Sequence, residues 1–93
     1  MNTILITGGL GYIGSITSLN LLKKGENILI IDSLANSSIK VLSKIQYLVS
    51  NNKNIGKLIF REGDIRNQNW LRDTFAEFQL LKKPIKSVFH FAG

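Results

Sequence analysis

The chain has 93 residues, enough for one small domain and too few for a second. Its 44% hydrophobic content and single proline exclude a disordered chain, and the absence of cysteine excludes disulfides and thiolate metal sites, which suits a reducing, cytoplasmic setting. Twelve Lys and Arg against six Asp and Glu give a net charge of +6, but the lysines are dispersed, so solvated helix faces account for them better than a nucleic-acid surface. No apolar run approaches the roughly 18 residues that a membrane span requires. Met1-Asn2-Thr3 carries none of the basic residues that precede a secretory signal.

Met1 to Thr7 is predicted as the first strand, continuously apolar over Ile4-Leu5-Ile6, as expected where helices cover both faces of a parallel sheet. It runs into Thr7-Gly8-Gly9-Leu10-Gly11-Tyr12-Ile13-Gly14-Ser15, placing a glycine cluster where strand gives way to helix. That is the context of a dinucleotide-binding turn. One glycine permits the tight reversal, another lets backbone approach a pyrophosphate, and the last lets the helix pack on the strand. The helix N-terminus adds N–H donors and a positive dipole end. Two registers fit, Gly9-Gly11-Gly14 and Gly8-Gly11-Gly14; a turn serving only chain reversal is the plain alternative.

From Tyr12 to about Lys24, Ile13, Ile16, Leu19 and Leu22 recur at helical spacing, and Lys23-Lys24-Gly25 supplies a basic last turn and a terminating glycine. Asn27 to Ile31 is predicted as the second strand and closes on Asp32. This acid follows Gly14 at about the 20-residue offset at which a carboxylate accepts the hydroxyls of an adenine ribose. It would repel a 2′-phosphate, and no Arg occurs over residues 33–38 to offset that, so NAD is favoured over NADP. A turn or helix cap is the structural alternative for Asp32.

Ser37 or Ser38 caps a second helix to about Val49, one-sided through Val41, Leu42, Ile45, Leu48 and Val49. A polar loop leads to a third strand, Lys57 to Glu62, and a turn at Gly63-Asp64. Asn67 caps a third helix whose buried side is expected at Trp70, Leu71, Phe75 and Phe78, with Pro84 as its stop and Trp70 as a core aromatic. Lys86 to Phe91 forms a fourth strand. His90 is the sole histidine and lacks an acid cluster, so a packed or hydrogen-bonded strand residue is expected there, and no metal site.

The alternation of strand and helix implies an α/β fold, a partial Rossmann arrangement with four parallel strands in the order 3-2-1-4 and three crossover helices. All carboxyl ends then meet at one edge, bringing Gly8 to Gly14, Asp32, Asp64-Ile65 and Phe91-Ala92-Gly93 together. The fourth strand leaves an open edge, a route to oligomerisation or aggregation.

Four stretches carry a family resemblance: TGGLGYIGS at residues 7 to 15, IDSLANSS at 31 to 38, GDIRN at 63 to 67 and FHFAG at 89 to 93. Together they resemble the N-terminal, NAD-binding segment of the UDP-glucose 4-epimerases, within the extended short-chain dehydrogenase/reductases. The match covers essentially the whole chain. It implies tightly held NAD that takes a hydride from C4 of a UDP-hexose and returns it to the other face, interconverting UDP-galactose and UDP-glucose. By motif position, Gly8, Gly11, Tyr12, Ile13 and Gly14 would meet the pyrophosphate, and Asp32 the adenine ribose, with Ser33, Asn36 and Ser37 nearby. Asp64 and Ile65 would bracket the adenine, and Phe91, Ala92 and Gly93 would line the middle of the cofactor. Ser33 departs from the family's usual Asn, and Ile16 from a position often polar.

The family's proton-transfer pair is a Tyr-x-x-x-Lys on a later helix. Tyr12 is followed at that offset by Ile16, and Tyr47 by Asn51. No residue of the chain is therefore assigned a catalytic role, and the 93 residues are expected to be a catalytically incomplete portion that meets UDP-hexose only in a complete enzyme. A stand-alone dinucleotide-binding module without activity, or a fragment of another NAD-dependent nucleotide-sugar epimerase or dehydratase, are the alternatives.

Overall fold

The computed structural model describes residues 1–92, along which strands and helices alternate. In order they are β1 (Thr3–Thr7), α1 (Tyr12–Lys23), β2 (Ile28–Asp32), α2 (Ile39–Val49), β3 (Leu58–Glu62), α3 (Gln68–Leu80) and β4 (Ile85–His90). The strands form one parallel sheet ordered β3-β2-β1-β4, as the sequence predicts. Among the described residues no helix is long and apolar enough to cross a membrane.

The continuous apolar runs follow from burial on both faces. Ile6, Ile28 and Ile30 join Leu10, Leu22, Ile45 and Val49 in one core, beneath α1 and α2. Leu5, Leu29 and Ile31 turn the other way and pack with Phe78 of α3. Alternate residues of one strand thus serve two cores. All five residues of β2 are buried; at about 1.5–3 kcal/mol per fully buried aliphatic side chain, β2 is the strand most costly to disturb.

Three expectations about the helices are corrected. On α1 the buried residues are Gly14, Ser18 and Leu22, whereas Ile13 and Ile16 are 60% and 47% exposed. The cause is Gly14, which sits so close to the Gly8 carbonyl that a Cβ there has no room. Close approach of helix to strand therefore turns the Gly14-Ser18 side inward, and the Ser18 hydroxyl is satisfied by donating to the Gly14 carbonyl at 2.7 Å. On α3, Phe78 is fully buried but Phe75 lies on the exposed side, with Trp70 and Leu71 half-buried. Pro84 does not end α3, because the helix stops at Leu80 and Lys82 turns into the left-handed region with φ 59°. At the start of α2 the two serines divide the work: Ser38 Oγ accepts from the Lys40 N–H at 3.2 Å, while Ser37 bonds elsewhere.

Candidate functional site

The glycine turn gives each of its four glycines a different task. Gly8 has φ +68°, a conformation that favours glycine, and its N–H donates to the Ile31 carbonyl at 2.8 Å. A Cβ on Gly9 would lie 2.6 Å from the Ile30 side chain, so this glycine lets the turn pack on β2. Gly14 seats the helix on the Gly8 carbonyl. Gly11 caps α1, and the only neighbour its Cβ would meet is the Gly8 oxygen at 3.3 Å. Both registers therefore describe the turn, and Gly8 and Gly11 are the two of its glycines that line the cleft.

The first turn of α1 has no side-chain cap and no acidic residue. By helix geometry the N–H groups of Tyr12, Ile13 and Gly14 lack intrahelical acceptors, the Ser15 N–H being the first to find one, on Gly11 at 2.9 Å. An anion suits such an end.

Asp32, at the end of β2, is buried and accepts three hydrogen bonds: Leu10 N–H to Oδ2 at 3.0 Å, and Leu34 N–H at 2.9 Å and Ser37 O–H at 2.7 Å to Oδ1. It ties the glycine turn to the loop after β2, and it holds Leu34 at φ 64°. The functional and the capping alternatives thus meet in one carboxylate. With about four lone-pair positions in all, it retains capacity for one ligand hydroxyl rather than two.

At the end of β3, Gly63 N–H donates to the Asp32 carbonyl at 3.2 Å, and no Cβ fits at Gly63 against the Trp70 ring. Asp64 follows, chelated by Arg66. Its Oδ1 accepts from the Arg66 backbone N–H at 2.9 Å and from Nε at 3.1 Å, and its Oδ2 from Nε at 3.1 Å and Nη2 at 2.7 Å. The Arg66 side-chain bonds, then its backbone N–H, hold the Asp64 carboxyl down to about 2.

The end of β4 is anchored to β1. Thr7 Oγ1 accepts from the Phe91 N–H at 3.2 Å and the Ala92 N–H at 3.4 Å, which leaves its own proton for His90 Nδ1 at 2.6 Å. The expected hydrogen-bonded strand histidine is found.

These ends enclose a cleft of about 550 Å³. Ten of the residues expected in the site line it: Gly8, Gly11, Asp32, Ser33, Asn36, Ser37, Asp64, Ile65, Phe91 and Ala92. Tyr12, Ile13 and Gly14 do not, since the two side chains point to solvent and Gly14 is buried under the turn; only their backbone N–H groups are available at the helix end. Gly93 lies outside the described residues. Arg66 and His90 line the cleft although the sequence reading gave neither a binding role. The signal for Arg66 was its place in GDIRN, between Asp64 and the helix cap Asn67.

Residues 5–93 match the protein family described as GDP-mannose 4,6 dehydratase. The chain belongs to this family. Within it, the similarity runs to the UDP-glucose 4-epimerases whose motifs the sequence resembles. The chain is 43% identical over 93 residues to the UDP-glucose 4-epimerase of Neisseria meningitidis serogroup A, covering all of this chain and 24% of that protein. The crystal structure of a UDP-glucose-4-epimerase from Stenotrophomonas maltophila, with bound NAD and formylated UDP-arabinopyranose, superposes with a TM-score of 0.82 at 31% identity. The match covers 100% of this chain and 25% of that one. The enzyme WbmG from Bordetella bronchiseptica, solved in complex with NAD and UDP, gives a TM-score of 0.74 at 30% identity, the match covering 97% of this chain and 24% of that one. The chain thus spans about a quarter of the length of the relatives it matches.

Proposed function

We propose that the cleft holds NAD and that the chain is the cofactor-holding portion of an NAD-dependent, UDP-glucose 4-epimerase-like enzyme. The observation that carries this reading is that Gly11, at the start of a helix whose first N–H groups lack intrahelical acceptors, lines the same cleft as Asp32. Gly11 and the N–H groups of Tyr12, Ile13 and Gly14 would receive the pyrophosphate, with Gly8 shaping the turn. Asp32 would accept one hydroxyl of the adenine ribose beside Ser33, Asn36 and Ser37. Asp64 and Ile65 would bracket the adenine, and Phe91, Ala92 and Gly93 the middle of the cofactor. Bound NAD would supply a reversible hydride acceptor; this chain's residues bind, orient and shield it.

NADP fits less well. Asp32 offers a carboxylate where a 2′-phosphate would lie, and Arg66, the one Lys or Arg among the lining residues, is already paired with Asp64. Neither tyrosine begins a Tyr-x-x-x-Lys sequence, so on this proposal the 93 residues alone do not turn over nucleotide sugar, and UDP-hexose binds only in a complete enzyme. The cysteine-free composition of these 93 residues suits a reducing, cytoplasmic setting for it. The family's description as a GDP-mannose 4,6 dehydratase favours one second reading, a portion of a nucleotide-sugar dehydratase that uses the same cleft.

Calorimetric titration of the 93-residue chain tests the cofactor. NAD is expected to bind with measurable heat and NADP at least about tenfold more weakly, a like-charge contact being worth more than a kcal/mol at short range. Equal or tighter NADP binding contradicts the assignment.

A further inference from the structure

α1 and α2 lie side by side over one face of the sheet, and a groove of about 190 Å³ runs between them, away from the cleft. Its surface is apolar: Ile45 is buried, Leu19 is half-buried, and Ile16 and Leu48 flank it at 47% and 48% exposed. Lys44 is the one charged residue among its lining side chains. The lysines of the chain are dispersed, but its acids are not. α1 and α2 carry Lys23, Lys40 and Lys44 and no Asp or Glu, and Glu26 comes only after α1 has closed. Asp73 and Glu77 belong to α3, against the opposite face of the sheet. An apolar groove with a purely basic rim is not what a solvated helix pair needs, since exposed isoleucine and leucine side by side gain nothing from water.

We propose that the groove between α1 and α2 is a docking site for an amphipathic helix of a partner protein, one with an apolar stripe and acidic flanks. Two parallel ridges with an apolar floor receive a third helix through anchors at i, i+4 and i+7, and the length of α1, about 18 Å at 1.5 Å per residue, suits some three turns of it. Charge decides which helix. Lys40 and Lys44, one turn apart on α2, need acids opposite them. A second copy of this face supplies none and sets lysine against lysine. A nucleic acid would satisfy the lysines but offers no apolar stripe for Ile16 and Leu48. A bilayer is met by protruding side chains, whereas this apolar surface is concave between the helices. The inference stands independently of what the cleft holds.

Fluorescence anisotropy with two labelled synthetic helical peptides tests it. Both carry leucines at i, i+4 and i+7; the flanking residues are glutamate in one and lysine in the other. The native 93-residue chain should bind the acidic peptide at least about tenfold more tightly than the basic one. Lys40→Glu combined with Lys44→Glu, both at exposed positions, should reverse that order. Ile16→Glu should weaken the acidic peptide at least about tenfold with the circular dichroism spectrum unchanged; should that variant unfold, the charge reversal alone decides. No binding of the acidic peptide to the native chain, equal binding of the two peptides, or an order that the charge reversal leaves unchanged overturns the proposal. Binding to phosphatidylserine vesicles that Ile16→Glu abolishes would assign the face to an anionic bilayer and overturn the choice of a protein helix.

Discussion

The carboxylates of Asp32 and Asp64 stand at the ends of neighbouring strands and are held in opposite ways. Asp32 is buried and spends three acceptor positions on the protein's own loops, fastening the glycine turn to the segment that opens α2. Asp64 is exposed and spends its positions on Arg66. Because hydrogen bonding to the charged form lowers the Asp64 carboxyl from 3.8 to about 2, its folded value lies below its unfolded one. The contribution to folding is therefore complete above pH 3.8 and is lost as the pH falls towards about 2. A carbon-detected NMR titration should find Asp64 titrating near 2 in the native chain and higher, but still below 3.8, in Arg66→Ala, which keeps the backbone N–H bond; native titration near 3.8 would mean the pair does not form in solution. At this scale the sequence was only partly legible. Asp32 and Asp64 could be picked out because each follows an apolar run that must end at the sheet's carboxyl edge. The His90–Thr7 bond could not, since it joins residues 83 apart and needs the strand register that pairs them. Arg66 belongs with His90, because its role depends on a side-chain geometry that spacing does not dictate.

Two helices end on the same backbone device with different residues at its critical position. After α1, Glu26 N–H donates to the Leu21 carbonyl and Gly25 N–H to the Leu22 carbonyl, with Gly25 at φ 88°. After α3, Lys83 N–H donates to the Phe78 carbonyl and Lys82 N–H to the Gln79 carbonyl, with Lys82 at φ 59°. Both are Schellman closures, which satisfy carbonyls that the helix leaves unpaired. The left-handed conformation costs a side-chain-bearing residue roughly 1–2 kcal/mol, against about 0.5–1 kcal/mol of extra chain entropy that glycine loses on folding. The first term wins. Lys82→Gly should therefore stabilise the protein by about 0.5–1 kcal/mol in urea denaturation, and Gly25→Lys should destabilise it by a similar amount. A loss of stability in Lys82→Gly would show that α3 does not close this way. The glycine made the first stop readable from sequence, whereas a lysine gives no such signal, which is why Pro84 drew the expected end of α3. The inward face of α1 was hidden for a related reason: hydrophobic spacing marks Ile13 and Ile16, but the contact distance at Gly14 decides which side turns in.

The whole molecule is as compact as its length allows, with a radius of gyration of 12.4 Å against about 12 Å for a folded chain of this size. The fold class and strand order were legible because every strand is an apolar run and every crossover a helical one, which leaves a doubly covered parallel sheet as the consistent arrangement. Its two edges differ. The outer strand β3 is half-buried and carries Arg61 and Glu62, charges that discourage further pairing. The outer strand β4 pairs with β1 on one side only, and Val88, Phe89 and Phe91 are 52%, 40% and 39% exposed. Two opposing terms then set the behaviour of the 93-residue chain in solution. Apolar surface and free backbone groups along β4 favour a second strand, while a net charge of +6 on each copy opposes the approach. Salt decides between them, since the Debye length falls from about 10 Å at 0.1 M to 3 Å at 1 M and hydrophobic burial is not screened. Sedimentation equilibrium should accordingly show a weight-average mass that rises with protein concentration and rises further from low to high salt. Val88→Lys, a charge placed on the open edge, should hold the chain monomeric across the same range. A chain that stays monomeric at every concentration and salt would show that β4, open as it is, is not a self-association edge.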